Sequence, residues 1–408
     1  MKMKRRISVL LAMILLSGAL ASCGGGTQES GGTGENQTAA VTEAEGQQDE
    51  AENPAGHSGE AEPGEEAGQH SESEEAEPEQ PAAERDTSLH DQEVTAPEAG
   101  MTEVERGMFL AKVGDCGFSA FLAGGGASSD GDVVAFLSSL LMAPGLDVSP
   151  VGMGCSTYAA ESADGGHVFG RNFDWSCSQV MLLEAHPADG YASFSTVNLD
   201  FLRESANLPN EVLPTAAYYA PLDGMNEKGL AVSVNMISDT ARISQNTNKP
   251  DLTTTTAMRL MLDRAASVEE ALALLGSYDL HGSYDMMIHF AVSDTTGRAV
   301  DVEYIGGEMT VVETPILTNF YLAEGEKQGI GSEESHRRYE TLEAFLKAHE
   351  KADIYDVRDA LTAARESAFD PDPSEGTEWS VLYDQTNLTA TWYRREKFDQ
   401  GWTVKLGS

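Results

Sequence analysis

The chain has 408 residues, and its 67 acidic against 26 basic side chains give a formal net charge of −41 at pH 7. The charge is uneven: residues 1–23 carry +4, residues 24–100 carry −20 and residues 101–408 carry −25. An acidic surplus in both long segments argues against nucleic acid or an anionic membrane surface as the ligand.

The amino terminus has the order of a bacterial secretory signal. Four basic residues within the first six precede an apolar run at 7–19, which is shorter than the roughly twenty residues needed to span a bilayer. Leu20-Ala21-Ser22-Cys23 resembles a lipobox, which implies diacylation of Cys23 and removal of residues 1–22. The alternative is an ordinary cleaved signal with an incidental cysteine. With the lipobox, we expect an extracytoplasmic protein that is lipid-anchored to the bacterial cell membrane.

Residues 24–100 have no apolar periodicity and contain 21 acidic residues against the single Arg85. Such a composition cannot bury enough apolar surface to offset its chain entropy. The segment is therefore predicted to be a disordered acidic stalk that acts as a spacer.

Residues 101–154 are predicted to form a helical prosegment. Helices are expected over 103–113 and 130–142, the second with an apolar stripe. The glycines at 124–126 do not open a phosphate loop, because no Lys-Ser/Thr pair follows them, so a flexible turn is expected.

The segment 155–175 reads as a β-hairpin. Two alternating runs, 156–162 and 167–173, flank a turn with two glycines. The first strand begins with Cys155, and the second ends with Arg171 and Asp174. Because the start of one strand lies opposite the end of the other, we expect Cys155 to face these two charged residues.

This hairpin resembles that of the choloylglycine hydrolase group of N-terminal nucleophile hydrolases. The group includes bile salt hydrolases, penicillin V acylases and acid ceramidase-like amidases. Its members carry a cysteine followed by a Phe-Gly-Arg-Asn-x-Asp strand, which here runs from Phe169 to Asp174. The resemblance implies a four-layer αββα sandwich and a catalytic amidase domain over 155–408. It also implies a hydrolase of carbon–nitrogen bonds other than peptide bonds, in linear amides.

Three further matches extend the resemblance. Residues 223–230, Asp-Gly-Met-Asn-Glu-Lys-Gly-Leu, precede a strand that ends near Asn235, which by resemblance stabilises the oxyanion. A Leu-Thr-Asn sequence places Asn319 at the new amino group and the scissile carbonyl. An arginine before an aromatic residue maps onto Arg338, with its neighbour Arg337 as the alternative.

The order of elements in the catalytic part excludes a doubly wound fold and indicates α+β, with stacked antiparallel sheets flanked by helices. Strands are predicted at 180–186, 191–198, 231–237, 286–292, 298–305, 309–313, 379–383 and 390–394, and helices at 256–266, 271–275, from 335 onward and at 353–365.

The resemblance also implies the chemistry. An α-amine with an ordinary pKa of about 8 can accept the thiol proton of its own residue, whereas an amide nitrogen cannot. The Gly154-Cys155 bond must therefore be cleaved first, through attack by the Cys155 thiol. Arg171 and Arg338 are expected to keep that thiol acidic, and Asp174 to orient the amine.

No cofactor or metal is expected, since His289 lies in an alternating strand without ligand spacing. The expected partner is a small N-acyl amide such as a conjugated bile salt, penicillin V, an N-acyl amino acid or an N-acyl lipid. Membrane contact is expected through the lipid alone, and homo-oligomerisation stays open. An acyltransferase and a noncatalytic ligand-binding lipoprotein are the alternatives. Cys116 and Cys177 either form a disulfide or are two buried thiols.

Overall fold

The computed structural model describes residues 91–141, 154–176, 178–203, 208–366 and 375–407. The predictions for the signal peptide, for Cys23 and for most of the stalk lie outside these residues, as does Cys177. Cys116 is buried with a free thiol. In the described part of the chain, no helix combines the length and apolarity that crossing a membrane requires.

The strands and helices are numbered in chain order. The strands are β1 (Gln92–Glu93), β2 (Met101–Glu105), β3 (Met108–Val113), β4 (Gly154–Glu161), β5 (His167–Ser176), β6 (Val180–Ala185), β7 (Ser193–Asn198), β8 (Asp223–Asn226), β9 (Ala231–Ile237), β10 (Asp251–Thr253), β11 (Asp279–His281), β12 (Met287–Ser293), β13 (Ala299–Ile305), β14 (Glu308–Glu313), β15 (Ile316–Leu317), β16 (Glu375–Asp384), β17 (Thr389–Arg394) and β18 (Gly401–Lys405). The helices are α1 (Phe118–Ala123), α2 (Asp130–Leu141), α3 (Leu199–Arg203), α4 (Leu213–Tyr218), α5 (Thr254–Arg264), α6 (Val268–Leu275), α7 (Glu333–Ala348) and α8 (Ile354–Ala363).

Two large sheets form the middle of the molecule. The first has seven strands in the order β1-β18-β17-β16-β5-β4-β15, and the second has nine in the order β14-β13-β12-β9-β8-β7-β6-β3-β2. Strands β4 and β9 face each other across the gap between the sheets. Helices α7 and α8 pack on the seven-stranded sheet, and α5 and α6 pack against the nine-stranded one. The predicted α+β fold with αββα layers is confirmed.

Each helical layer is held by an apolar interface. Between the seven-stranded sheet and its helices, Tyr158 of β4 packs with Leu342 of α7 and with Val357 and Leu361 of α8. Gly170 of the Phe-Gly-Arg-Asn sequence lies under this layer, because a Cβ there would stand 2.6 Å from Val357 Cγ1. The glycine in the motif therefore lets α8 approach the sheet.

The predicted hairpin is confirmed as β4 and β5. Its register differs in detail from the expectation, because Cys155 pairs with Phe173, Thr157 with Arg171 and Gly154 with Asp174. Side chains alternate along a strand, so Arg171 shares the face of Cys155 whereas Asp174 belongs to the opposite face. The expectation that Cys155 faces both charged residues is wrong for Asp174.

The predicted helix over 103–113 is also wrong. These residues form the hairpin of β2 and β3, which turns at Gly107 with φ +77°. β3 pairs in parallel with β6, and this places Met108 and Leu110 in the core. Pairing with a strand some seventy residues away overrides local helix propensity.

The stalk prediction is wrong for its last residues. Residues 91–100 are part of the fold, because β1 pairs in parallel with β18 and Ala96 is buried. The predicted helix over 130–142 is present as α2, and the capping serine Ser267 of α6 accepts from Glu270 N as its sequence indicates.

Candidate active site

Cys155 stands at the start of β4 and is fully buried between the sheets. Its Sγ lies 3.2 Å from Arg171 Nη2 and 3.8 Å from the carbonyl oxygen of Val234 on β9. Arg171 Nη2 also donates to this carbonyl at 2.8 Å. The hairpin thus brings the Cys155 thiol into contact with the Arg171 guanidinium, as the sequence predicts.

Arg171 is itself held by Asp223, the first residue of the 223–230 motif. Its Nη1 lies 2.5 Å from Asp223 Oδ2, and both side chains are fully buried. Trp379 Nε1 and Tyr383 Oη donate to the same carboxylate at 3.0 and 2.6 Å. Sequence reasoning assigned no role to Asp223, although its place in the motif was a signal. A buried guanidinium needs such a partner to offset its desolvation.

The uncleaved chain does not hold the thiol in an acidic state. Burial raises the pKa of the Cys155 thiol and outweighs the lowering by Arg171 and Arg338, while Asp174 raises it further. The expectation that the two arginines keep the thiol acidic is therefore wrong for the uncleaved chain. The thiol is protonated at neutral pH and needs a base before it can react.

Asn319 binds the main-chain nitrogen of Cys155. The Cys155 N–H donates to Asn319 Oδ1 at 2.7 Å, while Asn319 Nδ2 donates to the Met236 carbonyl at 2.7 Å. The Asn319 N–H donates to Ser335 Oγ at 2.7 Å, which ties the loop to α7. Asn319 therefore lies at the nitrogen that would become the new amino group, as the resemblance implies.

Arg338 of α7 reaches the main chain of Cys155 from the helical side. Its Nη1 donates to the Cys155 carbonyl and to Asp174 Oδ2, each at 2.8 Å, and its Nη2 donates to Asn319 Oδ1 at 3.0 Å. Arg337 is exposed. Of the two predicted arginines, Arg338 is the one in contact with the site.

Asp174 completes this second group of contacts. Its Oδ1 accepts from Thr377 Oγ1 of β16 at 2.6 Å, so each carboxylate oxygen has a donor. Gly154 lies directly against it, since a Cβ at that position would stand 3.0 Å from Asp174 Cβ and 3.2 Å from Oδ2. Thr377 was not predicted, because it follows the hairpin by some two hundred residues and carries no local signal.

Asn235 lies in the inter-sheet space and contacts groups other than Cys155. Its Nδ2 donates to the Thr318 carbonyl at 3.1 Å and lies 3.5 Å from Thr157 Oγ1. Ser233 Oγ donates to its Oδ1 at 3.3 Å. The second amide hydrogen of Asn235 therefore has only a long contact with Thr157.

The sulfur, the nitrogen and the carbonyl of one cysteine thus each have separate partners, within two stacked sheets between helical layers. This arrangement, with a cysteine at the start of β4, is the one that the resemblance to N-terminal nucleophile hydrolases implies. Residues 155–320 match the family model of linear amide C-N hydrolases, choloylglycine hydrolase family. The resemblance found in the sequence is confirmed, and the protein is a hydrolase of carbon–nitrogen bonds in linear amides.

Solved structures give further similarities. A mutant of the conjugated bile acid hydrolase from Clostridium perfringens is 18% identical, with a TM-score of 0.47, covering 62% of this chain and 92% of that one. Penicillin V acylase from Agrobacterium tumefaciens is 17% identical, with a TM-score of 0.44, covering 59% of this chain and 83% of that one. No curated protein matched the chain in a sequence comparison.

Proposed function

We propose that the protein is an exported cysteine amidase that cleaves its own Gly154-Cys155 bond and then hydrolyses N-acyl amides through an acyl-thioester. The observation that carries this proposal is the set of contacts at Cys155: its nitrogen is bound by Asn319, its carbonyl by Arg338 and its sulfur by Arg171. A cysteine with a purely structural role needs no buried charged group at its sulfur.

Self-cleavage begins with attack of the Cys155 sulfur on the Gly154 carbonyl carbon. The carbon–nitrogen bond breaks, the Cys155 nitrogen gains a proton, and Gly154 is left as a thioester. Water then hydrolyses the thioester, releasing the Gly154 carboxylate and restoring the thiol. Asn319 Oδ1, which already accepts from the Cys155 nitrogen at 2.7 Å, stays as a partner for the freed amine.

Turnover uses the same atoms. The α-amine takes the thiol proton, and the thiolate attacks the amide carbonyl of the substrate. The leaving amine receives the proton, and water hydrolyses the acyl-thioester. Asn235 can keep its bond to Thr318 and offer its second amide hydrogen to the oxyanion in place of Thr157, because the contact with Thr157 is long. Such a donor contributes about 3 kcal/mol to transition-state stabilisation in comparable sites.

In this proposal the chain before Gly154 stays bound to the catalytic part after cleavage. The sequence analysis, in contrast, predicted that residues 101–154 are a prosegment. β3 lies between β6 and β2 in the nine-stranded sheet, and Tyr219 Oη donates to the Cys116 carbonyl at 2.9 Å. Cleavage at Gly154 then gives two chains that stay together. We also propose export and lipidation at Cys23, and the signal sequence alone supports these two steps.

Intact-mass analysis and amine release test the proposal together. We expect a fragment that begins at Cys155, and release of free amine from a panel of glyco- and tauro-conjugated bile salts, penicillin V, N-acyl amino acids and N-acyl lipids. Cys155→Ser should lose hydrolysis. A chain that is fully active while still joined through residue 154 would refute the proposal, as would wild-type hydrolysis rates in Cys155→Ser.

A further inference from the structure

A buried cluster of His289, Asp301 and Glu303 lies in the nine-stranded sheet, on β12 and β13. All three side chains are fully buried. His289 Nδ1 lies 3.2 Å from Asp301 Oδ2 and 3.9 Å from Glu303 Oε1. The mechanism above uses none of them, and burying three ionisable groups is costly unless they are paired.

The surroundings of His289 and Glu303 favour their protonated forms. Burial alone would lower the pKa of His289, but Asp301, the Thr318 carbonyl and Glu303 raise it above the usual value. Burial and the charge of Asp301 raise the pKa of Glu303 to about 7. Within the described residues this cluster is also the one group of three side chains spaced closely enough to hold a metal ion.

The cluster contacts both ends of the loop that carries Asn319. His289 Nε2 lies 3.0 Å from the Thr318 carbonyl, just before Asn319. Glu303 Oε1 accepts from Leu322 N at 2.5 Å, three residues after it, and Glu303 also accepts from Ala323 N. Because the Nδ1 of His289 faces carboxylates, its Nε2–H is the atom that donates to Thr318.

The Thr318 carbonyl has a second donor, Asn235 Nδ2, at 3.1 Å. His289 also lies directly across the strand pair from Asn235. A carbonyl oxygen has two lone pairs, so the two donors fill it. If His289 stopped donating, the Thr318 carbonyl would keep Asn235 as its one donor, and the main chain just before Asn319 would be held less firmly next to the amide meant for the oxyanion.

We propose that His289, supported by Asp301 and Glu303, is a positioning residue that fixes Asn319 and Asn235 through the Thr318 carbonyl. The inference rests on the proposed function, because those two asparagines act on the amine and the oxyanion there. Removing the Nε2–H donor lowers kcat and the rate of self-cleavage and leaves KM nearly unchanged, since none of the three cluster residues contacts Cys155 or needs to touch substrate.

Two substitutions separate positioning from simple stability. A glutamine amide can place its nitrogen where His289 Nε2 lies, whereas an asparagine amide reaches only the position of Nδ1. Both lose the imidazole ring and so have similar stability costs. We expect His289→Gln to keep kcat within about threefold of wild type. His289→Asn should lower kcat and self-cleavage about 10- to 100-fold with KM within about twofold, where each factor of ten raises the barrier by about 1.4 kcal/mol.

Hydrogen exchange gives a readout that does not need activity. The amides of Asn319, Leu322 and Ala323 should exchange faster in His289→Asn than in wild type, and at near wild-type rates in His289→Gln. If the wild type neither cleaves itself nor hydrolyses amides, the proposed function fails while exchange still decides the positioning role. Equal exchange and equal kcat in the two variants, with matched Tm, would overturn the inference.

A second pair of substitutions, at Glu303, tests the inference if His289→Asn does not fold. Glu303→Gln keeps an oxygen that accepts from Leu322 N and should retain kcat within about threefold, whereas Glu303→Met removes the acceptor and should lower kcat at least tenfold. Equal kcat in both would contradict the inference. One tightly bound metal ion per chain in the wild type, lost in His289→Asn, would overturn the inference, because the cluster would then be a metal site.

Discussion

Arg338→Lys is the substitution that tests the site most directly. The guanidinium contacts the Cys155 carbonyl, Asp174 and Asn319 Oδ1 at 2.8 to 3.0 Å, and it is buried. A lysine ammonium keeps the charge but cannot match the planar fork that serves three acceptors. Losing one or two charge-assisted hydrogen bonds at about 1.5 kcal/mol each costs about 1.5–3 kcal/mol, which corresponds to about 10- to 150-fold in rate.

The matched control is Arg337→Lys, because Arg337 is the preceding residue of the same helix and is exposed. We expect Arg337→Lys to keep the wild-type rate of self-cleavage, measured by intact mass over time, and of amine release. Tm should fall by several degrees in Arg338→Lys and by less than about one degree in the control. Equal rates in the two variants would show that the contacts of Arg338 do not support the chemistry.

Three further outcomes follow from the geometry. Gly154→Ala should slow self-cleavage, because the new Cβ would stand 3.0 Å from Asp174 Cβ; an unchanged half-time on intact-mass analysis would contradict this. Self-cleavage should rise about tenfold per pH unit between about pH 6 and 8, because burial raises the pKa of Cys155 and the thiolate is the reactive form; a flat profile would show another limiting step. Gly170→Ala should cost about 1–3 kcal/mol, because its Cβ would meet Val357 Cγ1 at 2.6 Å; an unchanged Tm would show that α8 can move away.

The parts of the site that could be predicted are those that a short element or a motif brings together. Cys155 and Arg171 meet because a tight turn joins their strands, so local pattern was sufficient. Asn319 and Arg338 could be placed only by resemblance, since their contacts with Cys155 span more than 160 residues. The face of Asp174 was missed because residues three apart on one strand lie on opposite faces of the sheet, so only one of Arg171 and Asp174 can share the face of Cys155.

The remaining errors arise because the residues concerned pair with groups that lie far away in the sequence. The alternation of apolar and polar residues over 103–113 is too weak to predict a strand, and the partner strand β6 lies far along the chain. Asp223 supports Arg171 only when the two sheets are stacked, and Thr377 supports Asp174 only when β16 has paired with β5. The periodicity of apolar residues indicates whether a position is buried, but it does not identify which distant group neutralises a buried charge.

The position of β3 inside the nine-stranded sheet decides how firmly a cut enzyme could be retained at a membrane. With the lipid at Cys23 and the break at Gly154 proposed above, the acylated piece and the piece that bears Cys155 would share no peptide bond. Backbone hydrogen bonds from β3 to β6, and from β1 to β18, would then be the attachment. β2 and β3 both precede Gly154 and would form the edge of the sheet, held by the ladder from β3 to β6 and by buried side chains such as Met108 and Leu110, so washing with salt should leave the enzyme in place. Heating should free it from vesicles only at the temperature where catalysis is lost.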